Sequence, residues 1–584
     1  MISATVGFGQ VTYIGAGIDN DITVAASSNS LNTSAVNTIN GEGLDARAME
    51  AARFLSQATF GQNMEQIIAL ANNLDYEAWI DNEFTKLPEF YLPRLDEIAV
   101  KSRQIHEEEN PGEDFFGPYA LHFNYTWWDV NKKSTDFLRH RIAYALSQIL
   151  VVSANSDLRD HGEAMASFYD VLYKHAFGNY KNLLLEVSLH PAMGHYLSHL
   201  SNPKTNTERN IHPDENYARE IMQLFTIGLY ELNIDGTRKT ENNEWIPTYD
   251  NNDIKELAKV FTGLGGGGLE DKVIEEYPDA KVDFNSDFYV IDKTVPMSMY
   301  PSQHEPGEKT IIGNYVISSG QTGMKDIDQA VTHIFNHPNV GPFVAFRLIQ
   351  QLVKSNPSPP YVERVAQVFN DNGNGERGSM KEVIKAILLD EEARSCTSVM
   401  DPTGGKLREP MLRQSHVLHA FDTDSPTGDY WNNAFDYWED TKQAALAAPS
   451  VFNFYLPDHQ PVGGFVDQGL FGPEFKIHDS QTSVGYFNQV SKWTDWDVFS
   501  WDWHESTPNV NFVWDSLEEL AEDPEDLLNY LDIILTHGQL SDETRRIITK
   551  AMTQLSPGGY PYLYLRVKMA IYLVLVSPDY VILK

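Results

Sequence analysis

From Asp45 onward, apolar residues recur at i, i+3, i+4 and i+7 over most of the chain, the spacing that places them on one face of an α-helix. The pattern predicts helices over 46–57, 64–71, 76–83 and 92–110, the last ending in the charged run Glu107-Glu-Glu109, a solvated face. Residues 137–153 carry apolar side chains at 138, 142, 145, 146, 149 and 150, enough to surround most of a helix, so this segment belongs deep in a core. Helices over about 162–176 and 179–189 follow, and Pro191 opens another through His199. Beyond residue 320 the same periodicity marks 326–335, 342–352, 360–369, 380–389, 525–536, 541–553 and 562–576. Besides short β-favouring patches such as Val11-Thr-Tyr-Ile14 and a small hairpin completed by Thr240 to Pro247, strand-like patterning marks about 265–320, where Val282-Asp-Phe-Asn-Ser-Asp-Phe-Tyr-Val-Ile291 suggests an inserted β-rich lobe. The expected fold class is therefore mainly α: one large multi-helix globular domain over 46–584 with a small β-rich insertion, preceded by an extended arm or linker over 1–45. Gly265-Gly-Gly-Gly268 reads as a flexible linker, since no Lys-Ser/Thr follows it to form a phosphate loop. Aromatic and acidic residues alternate at about 422–440 and 493–515, a composition that suits sugar stacking and docked loops alike.

The densest polar set falls on His212-Pro-Asp-Glu-Asn-Tyr-Ala-Arg-Glu-Ile-Met-Gln-Leu-Phe-Thr-Ile-Gly228. Pro213 suits a first helical turn, Asp214 and Glu215 suit the positive end of the helix dipole, and Gly228 suits a terminator. Tyr217, Ile221, Leu224, Phe225 and Gly228 form an apolar stripe; Asn216, Glu220 and Gln223 line one flank, while Glu215, Arg219 and Thr226 lie opposite. A carboxylate beside a core stripe is either paired or poised for chemistry. Glu220 and Glu215 are thus candidate general acid–bases, with Arg219 stabilising an anionic group or orienting a carboxylate. Asn216, Gln223 and Arg141 are candidate substrate contacts, and Arg141, on the buried helix, needs a carboxylate that Glu220 could supply. The plain alternative is a Glu215–Arg219 helix salt bridge at i,i+4. His195 and His199, four apart, could present two imidazoles to a divalent metal such as zinc or calcium, with His212 and His190 nearby; two surface histidines would read the same. Asn370-Asp-Asn-Gly-Asn-Gly375 resembles a calcium loop in composition, but Lys381 stands where the bidentate Glu belongs, which makes it a plain turn.

The totals narrow the function classes. Lys plus Arg number 44 against 82 Asp plus Glu, a net charge of -38 that repels phosphate backbones and excludes nucleic acid as a partner. Cys396 is alone, so no internal disulfide forms. No apolar run is long enough for a transmembrane helix, and no basic-then-apolar signal peptide is visible at the start.

Eight phrases together resemble the bacterial domain of unknown function 1800 family: Ala51-Ala-Arg-Phe-Leu-Ser-Gln-Ala-Thr-Phe-Gly61, Asp214-Glu-Asn-Tyr-Ala-Arg-Glu220, Phe261-Thr-Gly263, His304-Glu-Pro-Gly-Glu-Lys309, Asn336-His-Pro-Asn-Val-Gly-Pro-Phe343, Lys406-Leu-Arg-Glu-Pro410, Ala448-Pro-Ser-Val-Phe-Asn-Phe454 and Ser577-Pro-Asp-Tyr580. The resemblance runs from about residue 47 to the C-terminus and supplies no reaction. It implies an exported protein, periplasmic, cell-surface or secreted, encoded beside a partner similar to the alkaline-phosphatase superfamily. Many members carry Trp-His-Asn-His-Phe where this chain has Leu146-Ser-Gln-Ile-Leu150, and Glu-Leu-His-Thr where it has Gln223-Leu-Phe-Thr226. If those histidines form a site elsewhere in the family, this chain has lost or rebuilt it: either His195, His199 and His212 are the replacement, or the surviving polar residues Glu215, Asn216, Arg219 and Glu220 are purely structural. Two functions remain in view: a hydrolase-like enzyme acting on an extracellular or envelope substrate, and a non-catalytic surface or assembly protein binding glycans or a secreted partner.

Overall fold

In the computed structural model, residues 44–584 are described apart from 116, 396–400, 402–403, 431–434, 503–506 and 556–560. Within 1–43 only the paired strands Thr12–Tyr13 and Thr23–Val24 are described, so most of the expected arm lies outside the described residues, as does Cys396. Side-chain caps set the first helices. Asp45 accepts the N–H groups of Arg47 and Ala48 at 2.8 and 3.3 Å to start α1 (Ala46–Ala58). Asn63 and Gln66 form a reciprocal capping box on α2 (Met64–Ala71), and Asp75 caps α3 (Tyr76–Glu83). Half-buried Asp170 accepts the N–H groups of Tyr91 and Leu92 at 2.7 and 3.0 Å, tying α4 (Tyr91–Glu109) to the helix that carries Asp170.

After α5 (Ala120–Lys133) comes α6 (Phe137–Ser147), in which every residue from Leu138 to Ser147 is buried. It packs against α1, α3, α7 (Gly162–His175) and the later helix Val340–Leu352. Its polar residues therefore bond inside the protein. The Tyr91 hydroxyl meets His140 Nδ1 at 2.6 Å and accepts the Asn131 amide at 3.1 Å, while the Tyr173 hydroxyl donates to Asp136 at 2.8 Å. The chain continues through α8 (Tyr180–Leu189), α9 (Pro191–Tyr196), α10 (Asn216–Gln223) and α11 (Asn251–Val260). One hydrophobic core extends from Leu44 to Tyr580. Strands occur as small antiparallel sheets of two or three; in one of them Ile582–Leu583 pairs with Lys406–Leu407, so the end of the chain closes over the segment that leads to Glu409. No described helix is long and apolar enough to cross a membrane.

Two local expectations are corrected. The strand-like 282–291 folds as turns ahead of a single bridge at Ile291, because Asp283 and Asp287 turn back to accept the N–H groups of Asn285 and Tyr289 at 2.8 and 2.9 Å, offering the backbone an alternative to a ladder. The lobe over 265–320 carries the short antiparallel ribbons Leu264–Gly265 with Ser298–Met299 and Lys309–Ile311 with Tyr315–Ile317, and a single bridge joins Leu269 to Ile291. Gly265 to Gly268 is no linker: Gly265 and Gly266 are buried, and a Cβ on Gly265 would stand 2.7 Å from the Tyr300 ring. Several of the phrases quoted above prove to be fastenings. His304 Nε2 and Lys309 Nζ reach Asp326 at 3.0 and 2.7 Å, and Thr262 accepts His304 Nδ1 at 2.8 Å through its carbonyl.

Asn339, fully buried, donates to the carbonyls of Ile227 and Tyr230 at 2.8 Å each and accepts the Leu232 N–H at 2.9 Å, clamping the loop that leaves α10. Asn339→Ala strands two carbonyls and one N–H in the interior and should lower the stability by about 3 kcal/mol, read as a lower urea midpoint at unchanged m-value.

Candidate functional site

The helix at the centre of the polar segment is shorter than its periodicity predicts. Asp214 Oδ1 accepts the Asn216 N–H at 2.8 Å and the helix starts there, leaving His212 and Pro213 outside it. Beyond Gln223 the chain widens, with Phe225 and Ile227 N–H groups reaching back five residues to Glu220 and Met222 at 3.1 and 2.9 Å before Gly228 turns at φ 71°. Tyr217, Ala218, Ile221, Met222 and Phe225 are buried against the core, as the stripe requires.

Glu220 sits at the edge of that face, 8% exposed, and its Oε2 is buried without a hydrogen-bond partner. Burial raises its carboxyl pKa above the ordinary 4.5, with Arg219 pulling the other way. The half-buried phenols of Tyr196 and Tyr249 feel this carboxylate: burial first, then Glu220, pushes each up to about 12. The Tyr249 hydroxyl donates to Gln223 Oε1 at 3.3 Å. The arrangement brings together a carboxyl able to hold a proton above the usual range and two hydroxyls that stay protonated at neutral pH, the elements of general acid–base chemistry.

The other sequence candidates divide. Glu215 and Arg219 pair at 3.3 Å with side chains 36% and 39% exposed, an ordinary solvated helix pair of small energetic weight. Asn216 is exposed and its Nδ2 donates to the Ser198 hydroxyl at 3.3 Å. Arg141 does not pair with Glu220. It is fully buried, its Nη2 donates to the Gln351 carbonyl, and the carboxylate acting on it is Glu409, which itself accepts Gln443 Nε2 and the Tyr455 hydroxyl at 2.6 Å each.

The histidines do not converge. The α9 helix stops at Tyr196 and Ser198 takes a left-handed φ of 62°, so His195 and His199 share no helical face. His195 stacks on Phe288 at 4.1 Å; His199 stacks on Tyr217 at 4.0 Å, with its Nε2 2.9 Å from the Ser188 carbonyl. His190 Nδ1 caps the next turn by accepting the Ala192 N–H at 3.1 Å, and His212 is exposed ahead of α10. Among the described residues no group of three or more His, Cys, Asp or Glu side chains could hold a metal ion. Ile149 and Phe225, at two of the positions noted for histidine in the family, are core residues, while the Ser147 hydroxyl donates to the Tyr144 carbonyl at 2.7 Å. Gln148 accepts the Asn453 amide at 2.6 Å.

Sequence spacing did not point to Tyr196, which lies in the field of Glu220, or to Tyr249 and Tyr455, which reach Gln223 and Glu409 from separate segments of chain. Glu409 stood in a quoted phrase but carried no mark of its partnership with Arg141. No curated protein and no solved structure matches the chain. A family model described as protein of unknown function, DUF1800, matches residues 53–582, nearly the whole chain, and the protein belongs to that family.

Proposed function

We propose that this protein is an enzyme of hydrolytic type in which Glu220 passes a proton to or from the substrate. Tyr196 and Tyr249, whose phenols stay protonated in the field of this carboxylate, supply hydrogen-bond donors to the substrate, and Asn216 and Gln223 contact it. The observation that carries this reading is the Glu220 carboxyl: desolvated, with Oε2 unpartnered, and held only by a neighbouring arginine that is already paired to Glu215. A buried carboxyl that serves structure alone is normally hydrogen-bonded. The place of action is extracytoplasmic, on extracellular or envelope material, with an alkaline-phosphatase-superfamily-like partner, as the family resemblance implies. A binding-only role for glycans or a secreted partner draws its support from Ile149 and Phe225, where hydrophobic packing stands in place of imidazoles.

Turnover of a chromogenic panel of esters, phosphate esters, glycosides and peptide amides tests the proposal. Glu220→Gln should reduce kcat on any accepted substrate by about 100-fold or more without lowering the thermal midpoint, and Glu215→Gln should stay within about twofold. Equal turnover by Glu220→Gln removes Glu220 from the chemistry.

The raised pKa also makes a stability prediction. A carboxyl whose folded pKa exceeds its unfolded value of 4.5 contributes stability that is complete below pH 4.5 and lost as pH rises through the folded value. Glu220→Gln, neutral throughout, should therefore gain stability relative to the parent between pH 4 and pH 8, read from urea midpoints at the two pH values; a constant difference would show that Glu220 is not desolvated.

A further inference from the structure

A second site lies among other helices. Between α1, α2, α3 and the start of α6 is a cavity of about 370 Å³, toward the lower end of the roughly 300–1,000 Å³ usual for small-molecule sites. Half-buried Trp79 and Phe137 line it, and so do the primary amides of Gln62, Gln66 and Asn82. Gln62 is only 4% exposed, yet its Nε2 has no acceptor. Gln66 uses its Oε1 on the Asn63 N–H at 3.1 Å, which leaves its NH₂ group to the cavity. The charged lining residues are engaged elsewhere: Glu83 with Lys86 and the Leu138 N–H, and Asp75 with the Ala78 N–H at 3.0 Å.

This lining selects its ligand by elimination. An anionic ligand would find no free cation in the cavity, since Lys86 is paired with Glu83, and the net charge of -38 repels anions in addition. A purely apolar ligand would leave the Gln62 amide buried without a partner, a penalty of about 1–3 kcal/mol. A pyranose satisfies both demands, since its hydroxyls donate to and accept from amides while its C–H face lies on an aromatic ring. We propose that this cavity binds a neutral saccharide of one or two rings, with Gln62 as its central hydrogen-bonding residue and Trp79 as its apolar wall. The site is formed by helices other than α10 and does not depend on the role assigned to Glu220.

Saturation-transfer NMR and calorimetry on the full chain test this with glucose, galactose, N-acetylglucosamine, maltose and cellobiose. At least one should bind with a Kd of about 1 mM or tighter. Gln62→Leu, close in volume, should weaken that binding about tenfold with an unchanged thermal midpoint, and Trp79→Ala should weaken it at least as much. Binding by none of the five, or binding that Gln62→Leu leaves intact, overturns the proposal. Binding lost in Glu220→Gln but kept in Gln62→Leu also overturns it, because the sugar would then occupy the α10 site.

Discussion

A helix buried on every side has no face left for water, and this constraint on α6 organises the interior. Its apolar residues supply the driving force for burial, but Arg139, His140, Arg141 and Tyr144 go in with them. Two of them are answered from far away in the chain, His140 by Tyr91 and Arg141 by the Gln351 carbonyl and the field of Glu409, while Arg139 pairs locally with Asp136. The segment that carries Glu409 is fixed in turn. Lys406 donates to the carbonyls of Gln350 and Gln351 at 2.8 and 3.0 Å and pairs with buried Glu474 at 3.0 Å, while the last strand of the chain runs beside it. One fully buried helix thereby links the first third of the protein to its C-terminus.

The same logic separates structure from chemistry among the polar residues. Asn339, His304, Lys309 and Asp326 have their hydrogen bonds filled by protein groups, and the Arg408 guanidinium lies 4.8 Å from the centre of the Tyr580 ring. These groups lock loops to helices and leave little capacity for a ligand. Glu220 differs, because burial has taken away its water without giving Oε2 a donor. Gln62 Nε2 is in a comparable position on the opposite side of the hydrogen-bond ledger, a donor without an acceptor. The unfilled acceptor at α10 and the unfilled donor beside α1 are two of several buried polar atoms among the described residues that no protein group satisfies, Glu409 Oε1 and Asp136 Oδ1 being others.

Helical periodicity alone determined the class of fold and most helix positions, because the pattern that buries one face of a helix is local and repeats every 3.6 residues. The apolar stripe on Tyr217, Ile221 and Phe225 and the burial of 137–147 were legible for that reason. The helix ends were less so. A left-handed Ser198 separated His195 from His199, and Asp214 delayed the start of α10 to Asn216, since backbone geometry at a terminus answers to single hydrogen bonds that composition does not reveal. Asp283 and Asp287 undid a strand pattern in the same way. Partnership was decided only by the tertiary structure. That Arg141 answers to Glu409 rather than Glu220, that Tyr196 and Tyr249 flank Glu220, and that Gln62 borders a cavity all depend on residues brought together from distant segments, and spacing along a chain carries no record of such distances.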